Sequence, residues 1–289
     1  MSTQEPTRFA RADMRLLVVG ALLLLGVLML SLTRAANPPW EDAQAQVRAE
    51  YTARLGADAA AALPEGIQQI WIEPLARVDR CTTCHMATDA GEKLADAPHP
   101  ARSHPMDILK HHPPETFGCT LCHGGQGFAT SEAAAHGDVA FWEEPLLSTA
   151  KAEQYGLTRA ELMELRCAYC HQTLEPVKGM PLINAAKDKI FDCMDCHRLP
   201  GLENEKPTAP DLTREGEKHP TSYAFPEGYK GPRTALAWQI EHLLDPKKMT
   251  PGSAMPKQDL TRKEAAGLAL LVMSWRRQAL PPAWTPKGE

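Results

Sequence analysis

The chain has 289 residues, of which 43% are hydrophobic and 23% charged, proportions typical of a globular rather than a disordered protein. Its formal net charge of −5 argues against nucleic acid as a partner and is compatible with a basic protein partner. Only 6% of the residues are aromatic, while 25 are proline and 19 glycine, which predicts a loop-rich chain with little room for a sheet.

The first predicted element is a membrane-spanning helix. Residues 16–32 are an uncharged apolar run, just long enough to cross a hydrocarbon core. Arginines precede this run, so the positive-inside rule places the N-terminus in the cytoplasm and the rest of the chain in the periplasm. The run is either a retained anchor or a cleaved signal peptide. Because Thr33-Arg34-Ala35 is a poor cleavage site, we expect a single-pass anchor in the cytoplasmic (inner) membrane of a bacterium.

A second helix is predicted directly after this segment. Asn37 to Pro39 interrupt the first helix, and residues 41–55 then have helical composition, with Val47 and Tyr51 at four-residue spacing. We expect this helix to rise from the membrane as a stalk that ends at Pro64.

Four copies of the pentapeptide Cys-x-x-Cys-His follow and use all eight cysteines. Their residues are Cys81, Cys84 and His85; Cys119, Cys122 and His123; Cys167, Cys170 and His171; and Cys193, Cys196 and His197. In this spacing the two thiols can add across the vinyl groups of one haem while the histidine reaches the iron. Chance predicts roughly 0.01 copies at this composition, and a zinc site gives no reason for a histidine after every second cysteine. The sequence therefore predicts four covalently attached haem c groups.

The second ligand of each iron decides what the haem can do. A histidine or methionine makes an electron-transfer centre, whereas an empty position makes a catalyst. Histidines outside the motifs crowd between the first two motifs and just beyond the second, namely His99, His104, His111, His112 and His136. We predict His104, His112 and His136 as ligands, with His99 and His111 in reserve. The sequence does not say which ligand serves which haem, and His219 and His242 are expected to be solvated or hydrogen-bonded.

Regular structure is predicted to be sparse between the first and third motifs. Glycines around the second motif are expected to let the backbone approach a macrocycle closely. The exception is a helix that a Thr-x-x-Glu capping box at Thr158 opens and that leads into the third motif.

The chain becomes more regular from Leu182. Helices are predicted over residues 182–191 and 233–244, and a second capping box at Thr261 opens a helix that reaches about Gln278, with one apolar face. Between them, residues 249–256 form a Pro- and Gly-rich loop. Met255 in this loop is the predicted second ligand of the fourth iron, and such a ligand raises the reduction potential relative to two histidines.

Two segments resemble known families. Residues 191–280 resemble a class I cytochrome c, with Phe191 before the motif, Pro210 in a Pro-Asp-Leu loop, a methionine loop and a terminal helix. In that family the proline supports the proximal histidine, and a glycine commonly lies where this chain has Ala185-Ala186. Residues 78–171 resemble a trihaem module of bacterial multihaem cytochromes, in segments 117–127, 135–137 and 141–145. Such modules often accompany quinol-oxidising cytochrome b complexes, which the resemblance implies as partners.

The expected protein is mainly α with extensive loops. Its predicted domains are a cytoplasmic tip and anchor (1–36), a stalk and linker (37–77), a trihaem module (78–181), a class I cytochrome c-like domain (182–280) and a tail (281–289). The expected function is electron transfer from a quinol-oxidising membrane complex to a soluble cytochrome c or an oxidase, without catalysis by this chain.

Two alternatives stay open. A single-anchor tetrahaem quinol dehydrogenase matches in topology and haem count, but that family usually has a methionine two residues after its first motif histidine, whereas Met86 is adjacent to His85. A multihaem reductase would need an iron with an empty position.

Overall fold

The structure is a computed structural model. It describes residues 7–140, 142, 144–202, 206–276, 281 and 284, and for residues 7–11 the backbone only. Parts of four predictions lie outside the described residues: the first six residues of the tip, Phe141 and Glu143 of the trihaem resemblance, residues 203–205 and 277–280 of the class I resemblance, and most of the C-terminal tail.

The described part of the chain is mainly helical, as predicted. Its helices are α1 Thr7–Ala36, α2 Pro39–Leu55, α3 Ala57–Ala61, α4 Met106–His111, α5 Pro114–Phe117, α6 Thr120–His123, α7 Glu132–Ala135, α8 Thr149–Glu153, α9 Arg159–Cys170, α10 Pro181–Lys189, α11 Ala235–Leu244, α12 Pro246–Met249 and α13 Arg262–Ser274. Two short strands, β1 Ile70–Ile72 and β2 Arg77–Asp79, form a two-stranded sheet. Long loops join most of these elements, as the proline and glycine content predicts.

Helix α1 contains the apolar run and is long and apolar enough to cross a membrane. At 1.5 Å per residue its 30 residues extend about 45 Å, more than the thickness of a hydrocarbon core. Its leucine and valine side chains are exposed along the whole apolar run; Leu16 at the start of the run is 71% exposed and Leu32 at its end is 55% exposed. A membrane anchor and a signal sequence both have this length and composition.

The chain divides into two compact units. Unit 1 comprises Met1–Trp71, Val78–Thr116 and Gly127–Ala135, and unit 2 comprises Ile72–Arg77, Phe117–Gln126 and His136–Glu289. The first Cys-x-x-Cys-His motif lies in unit 1 and the other three lie in unit 2. The predicted domain boundary after residue 181 remains a prediction.

Helix α2 is packed into unit 1. Val47 is fully buried and Tyr51 nearly so, in a core that includes Met86, Ala87 and Leu94 around the first motif. Two polar side chains of the same helix also bind backbone carbonyl groups in α3, in the loop after it and in the motif itself. Gln44 Nε2 donates to the carbonyl oxygens of Gly66 (2.7 Å) and Thr83 (3.0 Å), and the Arg48 guanidinium donates to three carbonyl oxygens between residues 60 and 64. The helix predicted as a stalk is therefore an integral part of the unit that carries the first motif.

Unit 2 has one core built mainly from α9, α10, α11 and α13. Both predicted capping boxes are present, at Thr158 and at Thr261. The prediction for the last helix was wrong in two respects. Helix α13 ends at Ser274, with Trp275 at its C-cap, and every residue from Ala265 to Ser274 is buried rather than one face alone. A helix that is apolar all round lies inside a core, which explains the burial on all sides.

Helices α10 and α13 cross at a glycine that lies on α13. A Cβ atom added at Gly267 would lie 3.0 Å from the carbonyl oxygen of Leu182 and 3.1 Å from its Cδ1 atom. The class I resemblance places a glycine near Ala185-Ala186 on the other helix. In this chain the small residue that permits the close approach is Gly267 on α13, and Ala185 on α10 is exposed.

Candidate functional site

The four Cys-x-x-Cys-His motifs share one backbone hydrogen bond. In each, the backbone N–H of the histidine donates to the carbonyl oxygen of the first cysteine, at 3.0 Å for His85 and His123 and 2.9 Å for His171 and His197. This is the i to i+4 bond of a helical turn, and it puts the two cysteines, three residues apart, on the same side as the histidine. Each motif therefore presents two sulfur atoms and one imidazole from a single turn.

The fourth motif is enclosed by the loop that follows it. The Nδ1 atom of His197 lies 2.7 Å from the carbonyl oxygen of Pro210. The N–H groups of Thr208 and Ala209 donate to the Cys196 carbonyl, and that of Leu212 donates to Arg198. A hydrogen bond from Nδ1–H to a carbonyl leaves the lone pair of Nε2 for a metal and fixes the plane of the ring. The Pro-Asp-Leu loop thus supports this histidine as the class I resemblance implies.

The second and third motifs are neighbours within unit 2. Helix α6, which carries Cys122, packs against α9, which carries Cys167 and Cys170. Burial, with a smaller effect of the nearby Cys170 thiol, raises the pKa of Cys122, and burial raises the pKa of Cys167 to about 12. Buried thiols of this kind stay protonated and are not activated nucleophiles. Cofactors held by these two motifs would lie side by side.

Arg159 contacts the histidine of the second motif. Its guanidinium lies 3.2 Å from Nδ1 of His123, while its Nε donates to the carbonyl oxygen of Leu147 at 2.8 Å. Because arginine can only donate, Nδ1 is the acceptor in this contact, which puts the imidazole proton on Nε2. His123 can therefore bind a metal through Nε2 only when Arg159 leaves Nδ1. A positive charge therefore lies beside the second motif.

His136 is held close to the second motif by backbone pairing. The N–H of Leu146 donates to the carbonyl oxygen of His136, and the N–H of Leu147 donates to that of His123, both at 2.8 Å. Gly137 is required there, because an added Cβ would lie 2.6 Å from Cδ1 of Trp142 and its φ is +76°.

Gly124 has a similar packing constraint, with the added Cβ 2.6 Å from the carbonyl oxygen of Pro145. Gly124, one of the glycines expected to approach a macrocycle, thus accommodates the chain's own Glu144 and Pro145, and Gly137 accommodates Trp142 and Pro145.

Helix α9 connects the third motif to the fourth. The Glu164 carboxylate, 3% exposed, accepts hydrogen bonds from the backbone N–H groups of Leu182 (3.2 Å) and Ile183 (2.7 Å) at the start of α10. Burial raises the pKa of Glu164, and the two N–H donors act in the opposite direction. Helix α10 then runs directly into the turn at Cys193. A carboxylate at a helix N-terminus is favourable, so this buried contact fixes the two motifs in one framework.

The first motif lies in unit 1 with the histidine-rich segment. The ring centroids of His85 and His99 are 6.1 Å apart and the ring planes are 77° from parallel. Nδ1 of His104 lies 2.9 Å from the carbonyl oxygen of Pro105, and Nδ1 of His112 lies 3.3 Å from that of Ile108. These contacts favour the tautomer with the Nε2 lone pair available for a metal. His111 is exposed in the last turn of α4.

Two further side chains in unit 2 bear on the fourth motif. Met255 is half-buried against the core, and its N–H donates to Ser253 Oγ at 3.2 Å. His242 on α11 stacks on Trp238, with centroids 4.5 Å apart, and its Nδ1 is buried with no hydrogen-bond partner. Burial lowers the pKa of His242, and His197 contributes in the same direction. The expectation of a solvated or hydrogen-bonded His242 was therefore wrong for this atom, whereas His219 is exposed and contacts Thr221, as expected.

The described residues at these motifs fit haem, provided that Arg159 releases Nδ1 of His123 at the second motif. The cysteines are thiols, each pair shares a turn with an imidazole, and His197 presents the correct nitrogen. Comparison of the chain with protein-family models, curated proteins and solved structures found no match.

Proposed function

We propose that the protein is a membrane-anchored tetrahaem c-type cytochrome that transfers electrons in the periplasm of a bacterium. The observation that carries this proposal is the same helical turn formed by all four Cys-x-x-Cys-His motifs, with two thiols and an imidazole on one side. Haem would supply one-electron oxidation and reduction. The residues of the chain would hold each iron and set its potential.

The predicted second ligands are drawn from His104, His112 and His136 for irons with two histidines, and from Met255 for the fourth iron. Tautomers with a free Nε2 support the first two histidines. Since methionine raises the potential relative to a second histidine, electrons would leave through the fourth haem. A filled position on every iron is the reason to favour electron transfer over a multihaem reductase.

The packing of unit 2 supports a continuous path for the electron. The second and third motifs lie on two packed helices, and Glu164 ties the third motif to the helix that begins the fourth. Haems at these motifs would exchange electrons without any large motion of the chain.

The proposed setting is a complex in the cytoplasmic membrane. With α1 as a retained anchor, a cytochrome b or another quinol-oxidising subunit would donate the electrons, and a soluble cytochrome c or an oxidase would accept them. The alternative of a tetrahaem quinol dehydrogenase is less well supported, because Met86 is buried in the core of unit 1 beside Ala87.

An optical redox titration of the purified full-length chain in mild detergent tests the direction of transfer. We expect one haem to be reduced at a distinctly higher potential than the other three. Four equal midpoint potentials would remove the argument that electrons leave through the fourth haem.

A further inference from the structure

We propose that His99 is the second axial ligand of the iron held by His85, so that unit 1 contains a complete bis-histidine site. This inference rests on the proposed function and deepens it by assigning the ligand pair of one haem. It revises the set predicted from sequence, in which His99 was held in reserve.

The separation of the two rings is the first argument. A metal–imidazole bond is about 2.0 Å long and the ring centre lies roughly 1.1 Å behind the nitrogen, so two imidazoles on opposite sides of one metal have centroids about 6.2 Å apart. The centroids of His85 and His99 are 6.1 Å apart. The spacing therefore matches coordination of one iron by both rings.

The segment that carries His99 is firmly folded against the first motif. Leu94, Ala97 and Ala101 on either side of His99 are at most 1% exposed and belong to the same core as Met86. The N–H of Ala101 donates to the carbonyl oxygen of Pro98 at 2.9 Å, which closes a turn around residue 99.

Two longer-range hydrogen bonds hold the segment after His99 against the residues that directly follow the first motif. Ser103 Oγ donates to the carbonyl oxygen of Gly91 at 2.6 Å, and the N–H of His104 donates to that of Thr88 at 3.0 Å. The position of His99 relative to His85 is thus set by buried contacts and not by the histidine itself. Such a ligand is preorganised for binding.

The angle between the rings gives a spectroscopic signature. Ring planes 77° apart are close to perpendicular. Perpendicular axial imidazoles leave two iron d orbitals nearly equal in energy, so the ferric haem shows a low-spin electron paramagnetic resonance signal with one very large g value. Parallel rings instead give a signal with three moderate g values. The structure therefore assigns the first kind of signal to the haem at His85.

The test compares the full-length protein with three variants at the histidine-rich segment. In His99→Ala we expect the large-g signal to disappear and one of the four haems to become high-spin and able to bind carbon monoxide when reduced. His99→Met should restore a low-spin iron with a higher midpoint potential, and added imidazole should restore a low-spin iron in His99→Ala. Met106→Ala is the matched control, because Met106 is exposed in the same segment and is not a predicted ligand, and it should leave the spectrum unchanged.

Four low-spin haems with unchanged g values in His99→Ala would overturn the assignment. The contact between His85 and His99 would then be a packing contact of two rings without a shared iron. Counting haems by intact mass separates this result from failure of the proposed function. A protein with four haems and an unchanged spectrum contradicts only the role of His99, whereas a chain without covalent haem contradicts both.

Discussion

Nδ1 of His197 lies 2.7 Å from the carbonyl oxygen of Pro210, thirteen residues further along the chain. A short hydrogen bond at Nδ1 makes the opposite nitrogen a stronger electron donor to a bound metal. We therefore expect the conformation of this loop to influence the reduction potential of the fourth haem.

Loosening this loop should raise that potential. Replacing Pro210 by glycine frees the backbone, so we expect a loss of roughly 1–2 kcal/mol in the free energy of unfolding and a higher midpoint for one haem only. Pro226→Gly is the control, because Pro226 lies in another turn of the same unit and accepts from Tyr229. Redox titration and chemical unfolding measure the two effects. Equal midpoints in the wild type and the Pro210 variant would show that the contact does not tune the iron.

The helix crossing in unit 2 gives a prediction about stability. In Gly267→Ala the new methyl group meets Leu182, and overpacking of this kind costs about 1–3 kcal/mol, against about 1 kcal/mol gained from the helix propensity of alanine. We expect a net loss of roughly 1 kcal/mol in chemical unfolding.

Ala185→Gly is the companion variant for this crossing. Ala185 is exposed, so glycine there should cost only about 1 kcal/mol through helix propensity and bring no gain in packing. A stabilised Gly267→Ala protein would show that the two helices can separate without cost.

The capping box of α13 predicts a pH dependence. Hydrogen bonds from the backbone and hydroxyl of Thr261, with a smaller effect of Lys189, lower the pKa of Glu264 from 4.5 to about 2. A carboxyl whose pKa is lowered by folding stabilises the native state above its unfolded pKa and loses that effect as the pH falls towards about 2. Glu264→Gln should therefore lower the melting temperature at neutral pH, and the difference from wild type should shrink between pH 4.5 and 2.

Glu161→Gln at the other capping box provides a comparison, because hydrogen bonds from Lys263 and from Thr158 likewise lower the pKa of Glu161. A constant difference between wild type and Glu264→Gln across this pH range would contradict the role given to Glu264.

Met255 can be tested by exchanging its ligand type. Met255→His should keep the fourth iron low-spin and lower the highest of the four midpoints, because a second histidine favours the ferric state more than methionine does. Met106→His, at an exposed methionine in unit 1, should leave all four midpoints unchanged. If both variants retain the wild-type titration, the second ligand of the fourth iron is another residue, with His242 as a candidate because its Nδ1 is buried without a partner and His197 lowers its pKa.

Local signals in the sequence predicted much of this architecture. The capping boxes at Thr158 and Thr261 specify helix starts through bonds within four residues, so each could be predicted from its own segment. The Cys-x-x-Cys-His motifs could likewise be identified from their own segments, whereas the helical turn that all four contain was not predicted.

Long-range packing could not be predicted in this way. The four-residue spacing of Val47 and Tyr51 in α2 does not say which surface Val47 meets, and no pattern around Glu164 indicates that it caps α10, eighteen residues later at Leu182. The same limit applies to the ligand candidates. His99 and His104 have the same composition around them, and only the folded core near Leu94 distinguishes their positions relative to His85.

The central claim is that each Cys-x-x-Cys-His turn carries one covalently bound haem. Intact mass measurement of the denatured full-length protein, expressed with the machinery for c-type haem attachment, tests it most directly. We predict a mass that exceeds the polypeptide by four haems, with the loss of one haem in a Cys193→Ala/Cys196→Ala variant. A mass equal to that of the polypeptide would contradict the account.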